Sequence, residues 1–210
     1  MKLPKSIFLD WYKTLSHGLF WEHMADNDHP LHQHHSQIVQ WLFVDNKQLI
    51  NPWMRGEYSS EDICALIASD LNLSVTTLVT ELERSCRNMQ FYSDEIPGLL
   101  KQIKQKGIKV VIATDNMDTF RRFTVPGMKL DSLFDDFLIS SELGVLKEDI
   151  KNGSPLFFDA YLMKQQLNYK DVVLLDDSTN IISTYHGLGL KILEVDQPGR
   201  VVDILKRYAA

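Results

Sequence analysis

The stretch that decides the fold is "SIFLDWYKTL", residues 6 to 15. Three apolar residues run into Asp10, a threonine follows at position 14, and Tyr12 stands between them, two positions after the aspartate. A short apolar run without period-2 alternation suits a strand covered on both faces of a parallel sheet. A carboxylate at the end of such a strand sits where open α/β sheets bind their ligands. Three readings follow: a phosphate-handling site, a different site on the same frame, or a relic of one.

Four more runs share this character: "VVIA" (110 to 113), "FLI" (137 to 139), "VVLL" (172 to 175) and "KILEV" (191 to 195). From residue 96 onward helical patterns separate them. "IPGLLKQIKQKG" repeats apolar residues at helical spacing and stops on Gly107, a C-terminal signal. "SPLFFDAYLMKQQL" is expected to open a helix with Ser154 as N-cap and Pro155 at the first helical position. This β-α-β-α order predicts an α/β fold with a doubly wound parallel sheet. About 100 residues separate the first run from the second, with no strand pattern between them. That segment reads as helices near 33 to 44, after "YSSED", and over "SVTTLVTELERSC". Trp11, Trp21, Trp41 and Trp53 all fall in the first 53 residues. The expected organisation is an α/β core of residues 1–15 and 94–210, with a helical insertion, residues 16–93, after the first strand.

Composition narrows the functional classes. With 44% hydrophobic and 24% charged residues, the 210-residue chain can bury a proper core, so disorder is excluded. A net charge of −6 and a pI near 5.6 leave no electrostatic footprint for nucleic acid or an anionic membrane, and a small soluble partner fits better. No run approaches membrane-spanning length, and the three apolar residues before Asp10 form no signal-peptide core. Cys64 and Cys86, 22 residues apart, match neither a disulfide framework nor a zinc spacing. They read as small buried apolar residues, and a reducing, cytoplasmic location is expected.

Three of the predicted strands carry polar groups at their carboxyl ends: Asp10; Thr114 with Asp115 and Asn116; and Asp176 with Asp177. Neighbouring strands lie about 4.8 Å apart, so Asp10 and the Asp176–Asp177 pair would crowd one another. Carboxylates at that separation repel, and a hard divalent cation such as Mg²⁺ is the usual remedy. A single aspartate after a strand commonly does no more than cap the next helix. The set of them argues for chemistry. "HPLHQHH" adds His29, His32, His34 and His35 in the insertion. His32 and His35 are a helical turn apart, as zinc-binding pairs can be, but no nearby Cys completes a site and Pro30 marks a polar helix start. A solvated or substrate-facing role is expected for these histidines.

In order along the chain, "IFLDWYKTL", "VVIATDN", "SSELGVLKED" and "VVLLDDSTN" resemble the four motifs of the haloacid-dehalogenase (HAD) superfamily. "RGEYSSEDI" and "IPGLLKQIKQKGIKVVIATDN" also read like its members with a helical cap between the first two motifs, so the resemblance covers nearly the whole chain. It implies Asp10 as nucleophile, Thr14 as a supporting hydroxyl and Thr114 as a hydrogen-bond donor to a phosphoryl oxygen, with Asp115 and Asn116 beside it. It implies Lys147 as the cation holding nucleophile and phosphate together. Mg²⁺ would be held by Asp10, the Tyr12 carbonyl and the acidic pair Asp176 and Asp177.

The departures bear on function. Family members that hydrolyse phosphate esters usually place a second aspartate, a general acid, where this chain has Tyr12. The family's haloacid dehalogenases have tyrosine there, but work without metal and lack the paired fourth-motif aspartates. Lys13 replaces the usual glycine. In "KEDIKNGSPLFF" extra residues follow the lysine, where the family has a proline directly after it. Lys147 fits the upstream "ELG" context and Lys151 fits the spacing to Pro155 and Phe158; Lys147 is preferred, because a longer loop still delivers a long side chain. The leading expectation is a Mg²⁺-dependent phosphatase acting on a small phosphorylated metabolite through an aspartyl-phosphate, beneath a closing cap. The alternatives are a 2-haloacid dehalogenase and a non-catalytic binding protein of the same fold.

Overall fold

The first strand, β1 (Ser6–Leu9), is buried throughout and occupies the centre of a five-stranded parallel sheet. The computed structural model describes residues 3–178 and 180–210; Met1, Lys2 and Thr179, the last inside the quoted "VVLLDDSTN", lie outside the described residues. After β1 the chain leaves the sheet through α1 (His32–Gln40), α2 (Ile50–Met54), α3 (Ser60–Leu71) and α4 (Val75–Arg87). It returns through α5 (Ile96–Gln105) into β2 (Lys109–Thr114), α6 (Val125–Gly127), β3 (Asp136–Ile139) and α7 (Ser140–Leu143). A hairpin of β4 (Ile150–Lys151) and β5 (Ser154–Pro155) precedes α8 (Asp159–Lys164), β6 (Val172–Asp176), α9 (Asn180–Tyr185), β7 (Lys191–Glu194) and α10 (Pro198–Ala209). The sheet order is β3-β2-β1-β6-β7, with every pairing parallel.

Alternate residues of β1 serve opposite cores, which explains why its apolar run is unbroken. Ile7 and Leu9 pack with α5 and α10 through Leu100, Ile103, Val201 and Leu205. Phe8 faces the other way, stacking on Phe158 with ring centroids 5.2 Å apart. The insertion builds a third core from Trp21, Trp41, Trp53, Ile63, Leu78 and Leu82, joined by Met117 and Phe123 from the segment after β2. Its two ends lie side by side: Ser16 bridges Phe91, and the Tyr92 amide donates to the Leu15 carbonyl at 2.9 Å. Among the described residues no helix is long and apolar enough to cross a membrane.

Helix starts follow local chemistry. Ser59 and Asp62 form a capping box at α3, which is how "YSSED" opens a helix. Ser154 and Pro155 do not open one. They pair with β4 across Asn152 (φ 53°) and Gly153 (φ 79°), both left-handed, and α8 begins only at Asp159. Asn-Gly favours a two-residue hairpin turn, and this turn signal outweighed the Ser-Pro helix signal.

Polar anchors tie the insertion to the sheet. Asp118, after β2, accepts hydrogen bonds from Trp53 Nε1 (2.9 Å) and Ser60 Oγ (2.6 Å) and pairs with Arg122, which also holds Glu61. Arg55 forms a two-pronged pair with Asp149 at 2.6 and 3.1 Å. Gly56 (φ 73°) follows it so closely over α7 that an added methyl would collide with the Ser141 carbonyl oxygen. Gly107 (φ 79°) has the same backbone conformation but open space around it. Gly56→Ala should therefore destabilise by more than about 2 kcal/mol, and Gly107→Ala by only about 1, since both carry the left-handed penalty and only Gly56 the collision. Urea unfolding of both variants at unchanged m-value checks this; equal losses would remove the close approach at Gly56 as a constraint.

Candidate active site

The sheet order places the carboxyl ends of β1 and β6 side by side, and their acidic residues meet there. Asp10 follows β1, its amide donating to the Leu175 carbonyl at 2.9 Å, and Asp176 ends β6. Lys147 arrives from the loop after α7 and is 3% exposed. Its ammonium donates to Asp10 Oδ1 at 3.0 Å and to Asp176 Oδ2 at 2.6 Å. The lysine main chain is held on both sides: its amide donates to Asp115 Oδ1 (3.0 Å), and its carbonyl accepts from the Tyr185 hydroxyl (2.8 Å). Asp149 accepts from the Leu146 amide at 2.8 Å while paired to Arg55, so the insertion also braces this loop. Lys151 is exposed on β4; the extra residues after Lys147 are the hairpin, looped out downstream of it.

The electrostatics are those of a buried, crowded set. Burial alone would discharge Lys147, but Asp10, Asp176 and Asp115 outweigh it and hold the ammonium charged. Burial raises the Asp176 carboxyl well above its ordinary range, with Asp10 adding to the effect and Lys147 only partly offsetting it. Asp177 is raised by burial and then by Asp10. Asp115 is pushed to about 6, chiefly by desolvation, against the opposing pull of Lys147.

Lys147 compensates part of the charge that the aspartates bring together. What remains still fits Mg²⁺. Asp10, Asp176 and Asp177 each bring an oxygen within 4.8 Å of the others, all are hard donors, and their charge exceeds that of one lysine. Asp176 has both oxygens engaged, Oδ2 by Lys147 and Oδ1 by the Ser178 amide at 2.9 Å. These bonds hold Asp176 against the lysine and leave Asp10 Oδ2 without a hydrogen bond among the described residues.

Two cavities meet here. One of about 180 Å³ is lined by Asp10, Lys147, Asp176 and Asp177. The other, about 230 Å³, is lined mainly by apolar side chains of the insertion and of the segments after β1 and β2. Tyr12, 38% exposed, and Asp115 lie on the walls of both. Lys13, in the family's glycine position, adopts a left-handed φ of 59°, a strained conformation for a residue with a side chain. Asn116 lines the apolar cavity, but its Oδ1 is taken by the Met117 amide. Thr14 and Thr114 are fully buried and line neither cavity, and neither hydroxyl has a partner among the described residues. Trp11, Met54 and Met117 of the apolar wall escaped sequence reasoning, which followed the carboxylates; the clustering of tryptophans in the first 53 residues was the available signal.

Among the described residues, none of His29, His32, His34 and His35 lines either of these cavities. His34 contacts Gln37. His29 instead joins His23 around Glu81 of α4, at 3.6 and 2.7 Å. The Leu31 amide donates to His29 Nδ1 at 3.1 Å, so the neutral ring carries its proton on Nε2, facing Glu81. A nitrogen protonated in that direction has no lone pair to offer a metal, while His23 Nε2, at 2.7 Å, is the ring nitrogen within hydrogen-bond distance of the carboxylate. Cys64 and Cys86 are buried free thiols, each pushed to about 12 by burial.

Removing Lys147 leaves its carboxylates unpaired. Lys147→Met should cost about 3–5 kcal/mol near neutral pH and less at pH 5, where protonation relieves the repulsion. Urea titrations at both pH values check this, and an unchanged stability would show that the buried lysine compensates nothing. Asp115 and Asp176 titrate higher folded than unfolded, so the native state binds more protons above the ordinary carboxylate value near about 4. Their stabilising contribution is complete below that value and is lost as the pH rises through about 6 for Asp115. In metal-free buffer Asp115→Asn should therefore flatten the fall in stability over this window.

No family model matches the sequence, and no curated protein matches it. Solved structures do match in fold. A predicted HAD-like family hydrolase from Porphyromonas gingivalis is 14% identical, over 98% of each chain, with a TM-score of 0.70. A HAD family enzyme from Bacteroides thetaiotaomicron, solved with magnesium and inorganic phosphate, is 13% identical over 91% of this chain and 93% of that one, with a TM-score of 0.63. A dehalogenase is 14% identical over 92% of this chain and 85% of that one, with a TM-score of 0.60. The chain has the fold of the haloacid-dehalogenase-like hydrolases.

Proposed function

We propose that the protein is a Mg²⁺-dependent phosphatase of a small phosphorylated metabolite. The observation that carries this reading is the convergence of Asp10, Lys147 and the Asp176–Asp177 pair at two adjacent strand ends, with acidic charge in excess of the one buried lysine. Asp10 attacks phosphorus through its carboxylate and forms an aspartyl-phosphate, which water then cleaves. Lys147 fixes the attacking carboxylate and stabilises the phosphoryl charge. Asp176 holds Lys147 in place, and Asp115 holds its backbone. Mg²⁺, held by Asp10, Asp177 and the Tyr12 carbonyl, would neutralise charge on the phosphoryl oxygens. The helical insertion acts as a cap that limits water. Binding in the fold neighbour solved with magnesium and phosphate is consistent with this assignment.

The second reading, a 2-haloacid dehalogenase, is favoured by one feature, Tyr12 two positions after Asp10 beside an apolar cavity. The same Asp10 would then attack carbon. A third possibility is a binding protein that keeps the fold without turnover.

Asp10→Asn should abolish phosphatase turnover with an unchanged far-UV circular dichroism spectrum, because an amide is no nucleophile. Mg²⁺ at 100 times its dissociation constant should stabilise the wild type by about 2.7 kcal/mol, an effect lost in Asp177→Asn. Metal-independent chloride release from 2-chloropropionate, with no phosphatase activity, would transfer the assignment to the dehalogenase reading. Tight orthovanadate binding without turnover on a broad ester panel would transfer it to the binding protein.

A further inference from the structure

The apolar cavity beside the catalytic carboxylates has no basic side chain on its walls among the described residues, and its lining sets what a substrate can carry there. Trp11, Phe20, Phe43, Ile50, Met54 and Met117 supply rings, an aliphatic branch and thioethers. The one carboxylate on the wall, Asp115, would repel a second anionic group. Asn116 has its oxygen occupied by the Met117 amide, leaving few polar partners for a polyhydroxylated body. A volume of about 230 Å³ suits a single ring system. Aromatic faces and methionine sulfur are favourable surroundings for a planar apolar group. The cavity shares Tyr12 and Asp115 with the carboxylate site, which places a group bound in it next to the phosphorus attacked by Asp10.

Resting on the phosphatase reading, we propose that the substrate is an aryl phosphate, whose uncharged ring occupies this cavity. Asp10 forms a bond to phosphorus while the phosphorus–oxygen bond to the ring breaks, and the electron pair leaves on the phenolate oxygen. Water then adds to phosphorus and releases Asp10 and inorganic phosphate, and its proton neutralises the phenolate. The leaving group agrees with Tyr12. A phenol ionises near about 10, far below water at about 15.7, so it departs without the strong acid that an alkyl ester needs.

The test compares phenyl phosphate with 4-carboxyphenyl phosphate, and benzylphosphonate with methylphosphonate. The carboxyl substituent improves the leaving group, so chemistry alone favours the carboxylated ester, whereas the cavity excludes its charge. The wild type should show kcat/KM about 10- to 100-fold higher for phenyl phosphate, and Met54→Lys should narrow that ratio. Benzylphosphonate, which cannot be hydrolysed, should bind about 10- to 100-fold more tightly than methylphosphonate to the wild type, a measurement independent of turnover and of whether Met54→Lys folds. Equal affinities for the two phosphonates overturn the aryl assignment, even if the protein proves to be a phosphatase. A benzyl preference without hydrolysis of any ester upholds the cavity's specificity and overturns the phosphatase reading instead.

Discussion

One buried ammonium is the constraint around which the site is arranged. Lys147 sits at 3.0 Å from Asp10 and 2.6 Å from Asp176, on the two strands that the sheet order makes neighbours. Parallel pairing forces those carboxylates together whatever their function, and without a cation the arrangement would be repulsive. Water cannot supply the screening in so buried a place, so the protein must. The lysine is accordingly fixed through its backbone by Asp115 and Tyr185 and through its loop by the Asp149–Arg55 pair. Its charge only partly offsets the burial that raises the carboxyls of Asp176, Asp177 and Asp115, with Asp10 adding to the effect.

The helical insertion bears on the same point by a different physical route. Its core is apolar and continuous with Met117 and Phe123, but its orientation is set by polar anchors: Asp118 to Trp53 and Ser60, Arg122 to Glu61, and Arg55 to Asp149. Directional bonds hold a packed layer in register, where apolar contact alone tolerates sliding. Arg55 connects the insertion to the loop that carries Lys147, so the layer that walls the apolar cavity also supports the buried lysine. Displacement of one is thereby coupled to displacement of the other.

Much of this was legible in the sequence, because the information was local. Unbroken runs such as "VVLL" announced strands buried on both faces, and all five runs form the sheet. "YSSED" announced α3, and the structure caps it with Ser59 and Asp62, partners three residues apart. The Ser154–Pro155 helix start failed against an equally local signal, Asn152–Gly153, which a reading focused on helix caps passed over. The choice of Lys147 over Lys151 rested on the same loop, and the hairpin explains why family spacing pointed the other way. Long-range pairings were not legible. Nothing in "HPLHQHH" indicates that His29 turns to Glu81, 52 positions along the chain (29 to 81), or that His23 shares that carboxylate. The apolar cavity was equally hidden, since Trp11, Phe43, Met54 and Met117 converge only through tertiary packing.

Tyr12 and the cavity constrain one another. A carboxylic acid at position 12 could protonate an alkoxide, but it would add another negative charge beside Asp10, Asp115 and Asp177, where one lysine already compensates incompletely. It would also put a strongly hydrated group against the apolar wall, at a desolvation cost that a phenol largely avoids. A tyrosine is therefore compatible with both the charge balance of the carboxylate site and the hydrophobicity of its neighbour, and it gives up strong general-acid assistance in return. Such assistance is typically worth 10² to 10⁴-fold, so the loss is tolerable where the leaving group needs little protonation. On the proposed phosphatase reading, the ring that an apolar cavity prefers is also the ring that stabilises a departing oxygen, and the side chain at position 12 and the walls around it then favour the same chemistry.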